Sequence, residues 1–447
     1  MKINTTKSLC PKCKKLINAE IFSENNKVYM KKSCKKHGKF VCLLSSDAEY
    51  YINSLKFNKL GKKPLKYNSE IKRGCPNDCG LCPAHKQHTC IALIDVTEKC
   101  DLNCPTCYAS SGTGKHLDIK TIEEMMDELV KCEGKVDVLQ ISGGEPTTHP
   151  EILEILKIAR KKSVRMVMLN TNGLRIARDK EFVKQLGKFK GRFEIYLQFD
   201  GFKKSTFENL RGRDLRNIKF QAIENLLEQK IPITLVSTIK KGVNDDEIGA
   251  IVRFALKTKG IRGITFQPIT FVGRYDKDFN PKDRETLTCV AEAIEKQTKG
   301  LFLKSDFVPL PCPYPLCCSL TYAYVKNGVP IPITRNLDME KYYDYVSNQI
   351  AFNPKEIIKK AISRFPRAEA FESLKDFSCC IPVGKLIISK KERKDYADNT
   401  IRIVIKPFMD AYTFDIKRAE KCCIHFMLPN KKLVPFCVYN ILQRKKC

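Results

Sequence analysis

Three cysteines, Cys100, Cys104 and Cys107, stand in a C-x3-C-x2-C run, CDLNCPTCY over residues 100–108, and no other feature constrains the chain as much. Thiolates at that spacing can hold three irons of a 4Fe-4S cube and leave the fourth open to an outside ligand. The plainer alternative is half of a zinc site. The flanking sequence argues for the cube. An apolar run at 91–96 reads as a buried strand feeding the cysteine loop, and another at 136–141 ends in Ser142-Gly143-Gly144-Glu145-Pro146. Glycines let backbone approach a ligand closely, and Glu145 can take an ammonium group while backbone groups meet other polar atoms.

The two motifs together resemble the radical SAM superfamily. That resemblance implies that the open iron chelates the amino and carboxylate groups of S-adenosylmethionine (SAM). An electron passed to the sulfonium then releases a 5'-deoxyadenosyl radical, which abstracts hydrogen from unactivated carbon. Cys100, Cys104 and Cys107 match the catalytic cube. Tyr108, Gly143, Gly144, Glu145 and Pro146 match the cofactor-binding set.

From residue 91 onward, strand and helix signals alternate. Strands are expected at 91–96, 136–141, 166–170, 193–199, 233–239 and 263–266, and helices at 121–132, 150–162, 180–186, 216–230 and 245–259. Thr121 and Glu124 fit a capping box, and Pro150 suits a first turn. The expected fold is α/β: a partial (β/α)6 TIM-type radical SAM barrel, flanked by an N-terminal rubredoxin-like metal knuckle and a C-terminal auxiliary-cluster domain. The divisions are 1–65 for the metal module, 66–91 for an auxiliary iron-sulfur segment, 92–300 for the barrel and 301–447 for the C-terminal cluster and substrate domain. In such a barrel the site lies at the carboxyl ends of the strands, which adds Asn172, Gln198, Asp200, Ser237 and Gln267 as candidate SAM contacts. Asn-Gly and Asp-Gly are also ordinary turns.

The other cysteines fall into three groups. Cys10, Cys13, Cys34 and His37 form two ligand pairs joined by a hairpin, the pattern of a tetrahedral mononuclear site for iron or zinc, with Cys42 as a competing ligand. Cys75, Cys79 and Cys82, followed by Cys90, can supply four thiolates to an auxiliary 4Fe-4S cluster; structural zinc is the alternative, and His85 and His88 read as packing groups. Cys312, Cys317, Cys422 and Cys437 can converge on a third centre. Which of the neighbouring pairs Cys317/Cys318 and Cys422/Cys423 ligates is open, and Cys379-Cys380 can join or stay buried thiols. Cys132, Cys289 and Cys447 read as ordinary thiols.

Twenty-two cysteines would suggest disulfides in a small secreted protein, but this chain has 447 residues, starts without an apolar signal segment and groups its thiols at metal-like spacings. A reducing cytoplasm is expected, with peripheral contact at the inner face of the membrane. No stretch approaches the roughly 18 apolar residues of a membrane span. Lys and Arg outnumber Asp and Glu by 80 to 50, a formal charge of +30 spread along the chain. A solvated lysine-rich surface accounts for that charge as readily as an anionic partner, and nucleic acid is not expected without aromatics concentrated in one groove.

The order of motifs, CPKC, CKKHG, CPNDCGLCPAHKQHTC, CDLNCPTCY, SGGEP, YLQFDGF and LVPFCVYN, resembles the archaeal tetraether lipid synthase family, formerly grouped with pterin-methylating radical SAM proteins. The resemblance implies a rubredoxin-like metal, a SAM-binding cluster, two auxiliary clusters and a small redox protein as electron donor. It also implies an archaeal ether phospholipid substrate, whose isoprenoid chain ends are coupled through unactivated sp3 carbons. Tyr322, Tyr324, Tyr342, Tyr343 and Phe352 are apolar candidates for a lipid channel, though such residues are more often core. A second reading is a radical SAM methyltransferase acting on a pterin, of the methanopterin-precursor type, or on another small acceptor.

Overall fold

Six apolar runs become six parallel strands, hydrogen-bonded to one another in the order in which they occur along the chain. The computed structural model describes residues 1–276, 279–336, 348 and 398–444. Its first 45 residues form an antiparallel meander of β1 (Lys2–Leu9), β2 (Leu16–Glu24), β3 (Lys27–Cys34) and β4 (Gly38–Ser45). Strand β3 buries Val28, Met30, Lys32 and Cys34 in strict alternation, so one face turns inward. Asn25 and Asn26 take φ of +49° and +56°, the conformation a two-residue hairpin turn requires. Helix α1 (Ala48–Leu55) follows, capped by Asp47, which accepts from the Tyr50 N–H. The buried Lys32 ammonium donates to Ser8 Oγ at 2.8 Å, to the Ala411 carbonyl at 2.8 Å and to the Tyr412 carbonyl at 2.7 Å, fastening the meander to the C-terminal region.

The parallel strands are β5 (Ile91–Asp95), β6 (Val136–Ser142), β7 (Val164–Thr171), β8 (Phe193–Gln198), β9 (Ile233–Ile239) and β10 (Ile261–Pro268). Between them lie α2 (Ile119–Glu133), α3 (Ile152–Lys161), α4 (Leu174–Arg178), α5 (Lys180–Leu186), α6 (Lys204–Arg211), α7 (Arg216–Glu228) and α8 (Ile248–Lys257), with α9 (Leu287–Thr298) after β10. Strand β6 is buried at its first six positions, as a strand covered on both faces must be.

Helix α2 starts two residues before the expected capping box. Asp118 is its cap, accepting from the Thr121 N–H at 2.8 Å and the Thr121 hydroxyl at 2.7 Å. Helix α3 begins at Ile152 rather than at Pro150. Helices α4 and α6 had no sequence expectation; α6, KSTFENLR, is short and polar, and tertiary packing of Phe207 and Leu210 decides it.

C-terminal residues do not stand apart from this sheet. Strands β11 (Val308–Pro309), β12 (Ser319–Lys326) and β13 (Val329–Pro332) precede β14 (Thr400–Ile405), which pairs parallel with β10. Strand β15 (Ile424–Met427) pairs parallel with β5 and antiparallel with β16 (Leu433–Pro435). The sheet is thereby extended on both sides of the six strands. Cys379, Cys380, Cys447, Tyr342, Tyr343 and Phe352 lie outside the described residues.

Candidate metal and cofactor sites

Cys10, Cys13, Cys34 and His37 bring one donor atom each into a group whose members all lie within 4.8 Å of one another. Cys10 Sγ is 3.5 Å and Cys34 Sγ 3.6 Å from His37 Nδ1, and Cys13 Sγ is 3.9 Å from Cys34 Sγ. Three sulfurs and one imidazole converging from two turns of the meander fit a tetrahedral metal. Cys42 is not a member. Its thiol donates to the Tyr412 carbonyl at 3.0 Å, and burial pushes it up to about 11, away from the thiolate a metal needs.

The second site is a pocket of about 190 Å³ where β5 to β10 end. Cys100, Cys104 and Cys107 all line it, and among the described residues no other cysteine and no histidine does, so the thiols fit a cube with one iron left open. Burial pushes the Cys100 thiol up to about 12 and raises that of Cys104, a rise the Arg211 guanidinium opposes. Arg274 clamps the cysteine loop: its backbone exchanges two 2.9 Å hydrogen bonds with Cys107, Nε donates to the Cys104 carbonyl at 3.1 Å, and Nη2 donates to the Ser111 carbonyl at 2.8 Å.

The Gly143-Gly144 pair packs loop on loop. The Gly144 N–H donates to the Thr97 carbonyl and the Glu145 N–H to the Lys99 carbonyl, both at 2.8 Å. A Cβ on Gly143, whose φ is +146°, would fall on the Thr97 backbone, and one on Gly144 would fall on the Lys99 carbonyl. These glycines hold the second motif against the entrance to the cysteine loop while lining the pocket.

Glu145 lines the pocket, and its carboxylate is also engaged within the chain. Only 1% exposed, its carboxylate accepts at Oε1 from the Thr147 N–H (3.1 Å), the Thr147 hydroxyl (2.7 Å) and the Thr171 hydroxyl (2.7 Å), and at Oε2 from the Asn172 N–H (2.7 Å). Burial still raises its pKa against those hydrogen bonds.

Of the other expected contacts, Tyr108, Asn172, Gln198 and Gln267 line the pocket. Asn172 Nδ2 donates to Asp101 at 2.6 Å, and Gln267 Nε2 donates to the Tyr196 hydroxyl at 3.2 Å. Pro146, Asp200 and Ser237 do not line it. Pro146 opens the 3-10 turn after Glu145, Ser237 points to the other side of β9 and donates to the Phe199 carbonyl at 2.5 Å, and Asp200 is wholly buried against Arg211. Sequence reasoning missed two buried cations here. Arg211 lines the pocket; Lys219 stands behind it and donates to the Asn172 carbonyl at 2.5 Å and to Gln198 Oε1 at 3.0 Å.

The remaining cysteines regroup. Cys90 does not gather with Cys75, Cys79 and Cys82; its sulfur meets that of Cys312, 222 residues away, and with His88 the two form a group of donor atoms within 4.8 Å of one another that could hold a metal ion. Cys318 and Cys423 are buried in the same cluster as Cys90 and Cys312, with Tyr322 packed against it. Cys75 and Cys79 interact directly, Cys437 packs with them, and the charges of Cys422 and Cys82 act on Cys79. Cys317 accepts from Arg418 Nε at 3.3 Å, and the Arg418 guanidinium also feels Cys437. Both nitrogens of His88 are engaged, by Glu133 at 3.3 Å and the Asn348 carbonyl at 3.0 Å. His85 and His425 meet edge-on, their Nε2 atoms 3.2 Å apart.

Known proteins share these features. The pattern of the radical SAM superfamily matches residues 94–255, and that of the HMPTM N-terminal zinc ribbon domain matches residues 2–46. A 7,8-dihydro-6-hydroxymethylpterin dimethyltransferase of Methanocaldococcus jannaschii is 36% identical, over 99% of this chain and 94% of its own length. The chain belongs to the radical SAM superfamily. A probable GTP 3',8-cyclase of Thermococcus kodakarensis is 30% identical over 48% of this chain and 72% of its own. The crystal structure of Streptococcus suis SuiB bound to S-adenosylmethionine aligns with a TM-score of 0.38 at 18% identity, covering 47% of each chain. As a radical SAM enzyme the protein uses a 4Fe-4S cluster and SAM, needs an external reductant, and carries its mononuclear metal in the zinc-ribbon meander. Among the described residues, no helix is long and apolar enough to cross a membrane.

Proposed function

We propose that this radical SAM enzyme is a methyltransferase acting on a pterin or a similar small heterocycle, with Cys100, Cys104 and Cys107 holding the SAM-binding cluster. The observation that carries this reading is the 36% identity, spanning 99% of the chain, to a protein named as a pterin dimethyltransferase. It favours the second of the two readings of the sequence over lipid coupling. When bound, the cluster and SAM supply one-electron reductive cleavage and hydrogen abstraction. The chain's own residues bind and orient: the Gly143-Gly144 backbone and the side chains of Asn172, Gln198 and Gln267 offer polar groups along the strand ends.

Lipid coupling is the second reading that the experiment must separate from this one. Part of the pocket lining is aromatic: Tyr108, Phe408 and Phe426 line it, and all three pack on Phe436, at 5.5, 4.2 and 5.2 Å between ring centroids. Such a wall excludes water and suits a flat ring or an alkyl chain equally. Anaerobic incubation with SAM and reductant separates the two readings. A methyl mass gain on 7,8-dihydro-6-hydroxymethylpterin supports the proposal; loss of paired hydrogens from an archaeal ether phospholipid, with no change in the pterin, overturns it.

A further inference from the structure

Arg211 is the last residue of α6 and is 7% exposed. The helix stops there because Gly212 adopts the left-handed conformation at φ +84°, its N–H donating to the Glu208 carbonyl at 3.0 Å, and the Arg211 side chain turns back under the pocket floor. Its Nε and Nη2 each lie 2.7 Å from the two oxygens of Asp200, a bidentate fork. Nη2 also donates to Thr238 Oγ1 at 2.9 Å, and Nη1 reaches the Thr106 carbonyl at 3.4 Å. Asp200 Oδ1 accepts a further bond from the Thr238 N–H at 3.0 Å. One guanidinium therefore links the ends of β8 and β9 to the cysteine loop.

The same stretch of chain supports that loop. Phe207 of α6 and Leu215, just before α7, pack against Leu102 and Cys104, with Cys100 and Cys107 at the edge of the same cluster. Arg211 and Cys104 line the same pocket, and the guanidinium charge acts on the Cys104 sulfur against the opposing charge of Asp200. Hydrogen bonds and fixed charges beside a ligand sulfur tune a cluster's reduction potential, and they act strongly where solvent is excluded.

We infer that the Asp200–Arg211 pair is a positioning and tuning device for the SAM-binding cluster: the fork fixes the loop, and the guanidinium facing Cys104 raises the potential at which that cluster accepts its electron. The inference rests on the reading of Cys100, Cys104 and Cys107 as the cluster's ligands. A purely structural ion pair would affect stability alone.

The test is EPR-monitored redox potentiometry of the reconstituted holoenzyme, with the relevant cluster identified as the signal that SAM perturbs and Cys104→Ala abolishes. Arg211→Gln removes the cation and leaves a buried anion, so the potential of that signal should move negative. Asp200→Asn leaves the cation and should move it positive. Arg211→Lys keeps the charge but breaks the fork, so its potential should stay closer to the parent than that of Arg211→Gln while its signal broadens. Should Arg211→Gln fail to load iron, the positive shift in Asp200→Asn still decides. Parental potentials in the loaded variants, or shifts of one sign in both Arg211→Gln and Asp200→Asn, overturn the inference. A spectrum in which SAM perturbs no signal instead overturns the assignment of the three cysteines.

Discussion

The backbone N–H of Asn172 donates to Oε2 of Glu145 at 2.7 Å, tying the loop after β6 to the end of β7. The Asn172 side chain continues the link to Asp101 within the cysteine run. Glu145 is thus the acceptor around which the pocket floor is assembled.

Glu145→Gln puts an amide NH2 where every neighbour is already a donor or is needed as one. Loss of one hydrogen bond and exposure of a buried donor to another should cost about 1–3 kcal/mol of stability. Glu145→Ala should cost at least as much, leaving the Asn172 and Thr147 N–H groups and two hydroxyls without that acceptor. Chemical denaturation checks this; variants matching the parent to within about 0.5 kcal/mol would remove Glu145 from the framework.

At the N-terminal metal site the geometry separates His37 from Cys42. His37 Nδ1 lies 3.5 Å from Cys10 Sγ, whereas the Cys42 thiol is spent on the Tyr412 carbonyl. His37→Ala should lower the mononuclear metal content and destabilise the meander, because the metal substitutes for a core that four short strands cannot build. Cys42→Ser should leave metal content unchanged. Elemental analysis of the purified variants distinguishes these outcomes.

Glu285 predicts a pH dependence. It is 7% exposed, and burial first, then the neighbouring charges of Asp245, Asp283 and Glu292, raises its pKa to about 7 against the opposing pull of Lys241. Between pH about 4.5 and about 7 the unfolded chain gives up this proton while the folded protein keeps it, so stability falls as pH rises through that window. The full loss, about 3 kcal/mol, is reached above pH 7. Glu285→Gln should be the more stable protein at pH 8 by up to that amount, with the advantage shrinking as pH falls through the window. Thermal melts across the range measure it.

Much of this was legible in the sequence, for physical reasons that also mark where reading stopped. The apolar runs that became β5 to β10 announce buried strands, and the spacings at Cys10 to His37 and at Cys100 to Cys107 are local enough to fix which thiols meet. Position within a strand was less readable. Ser237 and Thr238 are adjacent and chemically alike, yet period-2 alternation sends only Thr238 into the pocket. Asp200 looked like a polar strand end available to a ligand, and its occupant, Arg211, arrives on a helix that polar composition concealed. Lys219 is the single lysine of α7, and nothing local marks it as wholly buried. Nothing in the motif around Glu145 announces that its carboxylate ties Thr147, Thr171 and Asn172 together.

Long-range cysteine pairing was the least readable feature, and it yields the last prediction. Cys90 is only eight residues from Cys82, which placed it with the nearer thiols, yet the pairing of β15 with β5 draws Cys423 to the start of β5 beside Cys90, and Cys312 closes on it from the far side. Cys90→Ser and Cys312→Ser should therefore share one iron deficit in the reconstituted protein, and Cys423→Ser should share it too. Cys79→Ser should produce a different deficit, shared with Cys422→Ser, because the charge of Cys422 acts on Cys79. Iron and sulfide counts with Mössbauer spectra of the single variants and of Cys90→Ser/Cys312→Ser read this out: the double variant should lose no more iron than either of its parents. Additive losses in that double variant would return Cys90 to the thiols of residues 75–82.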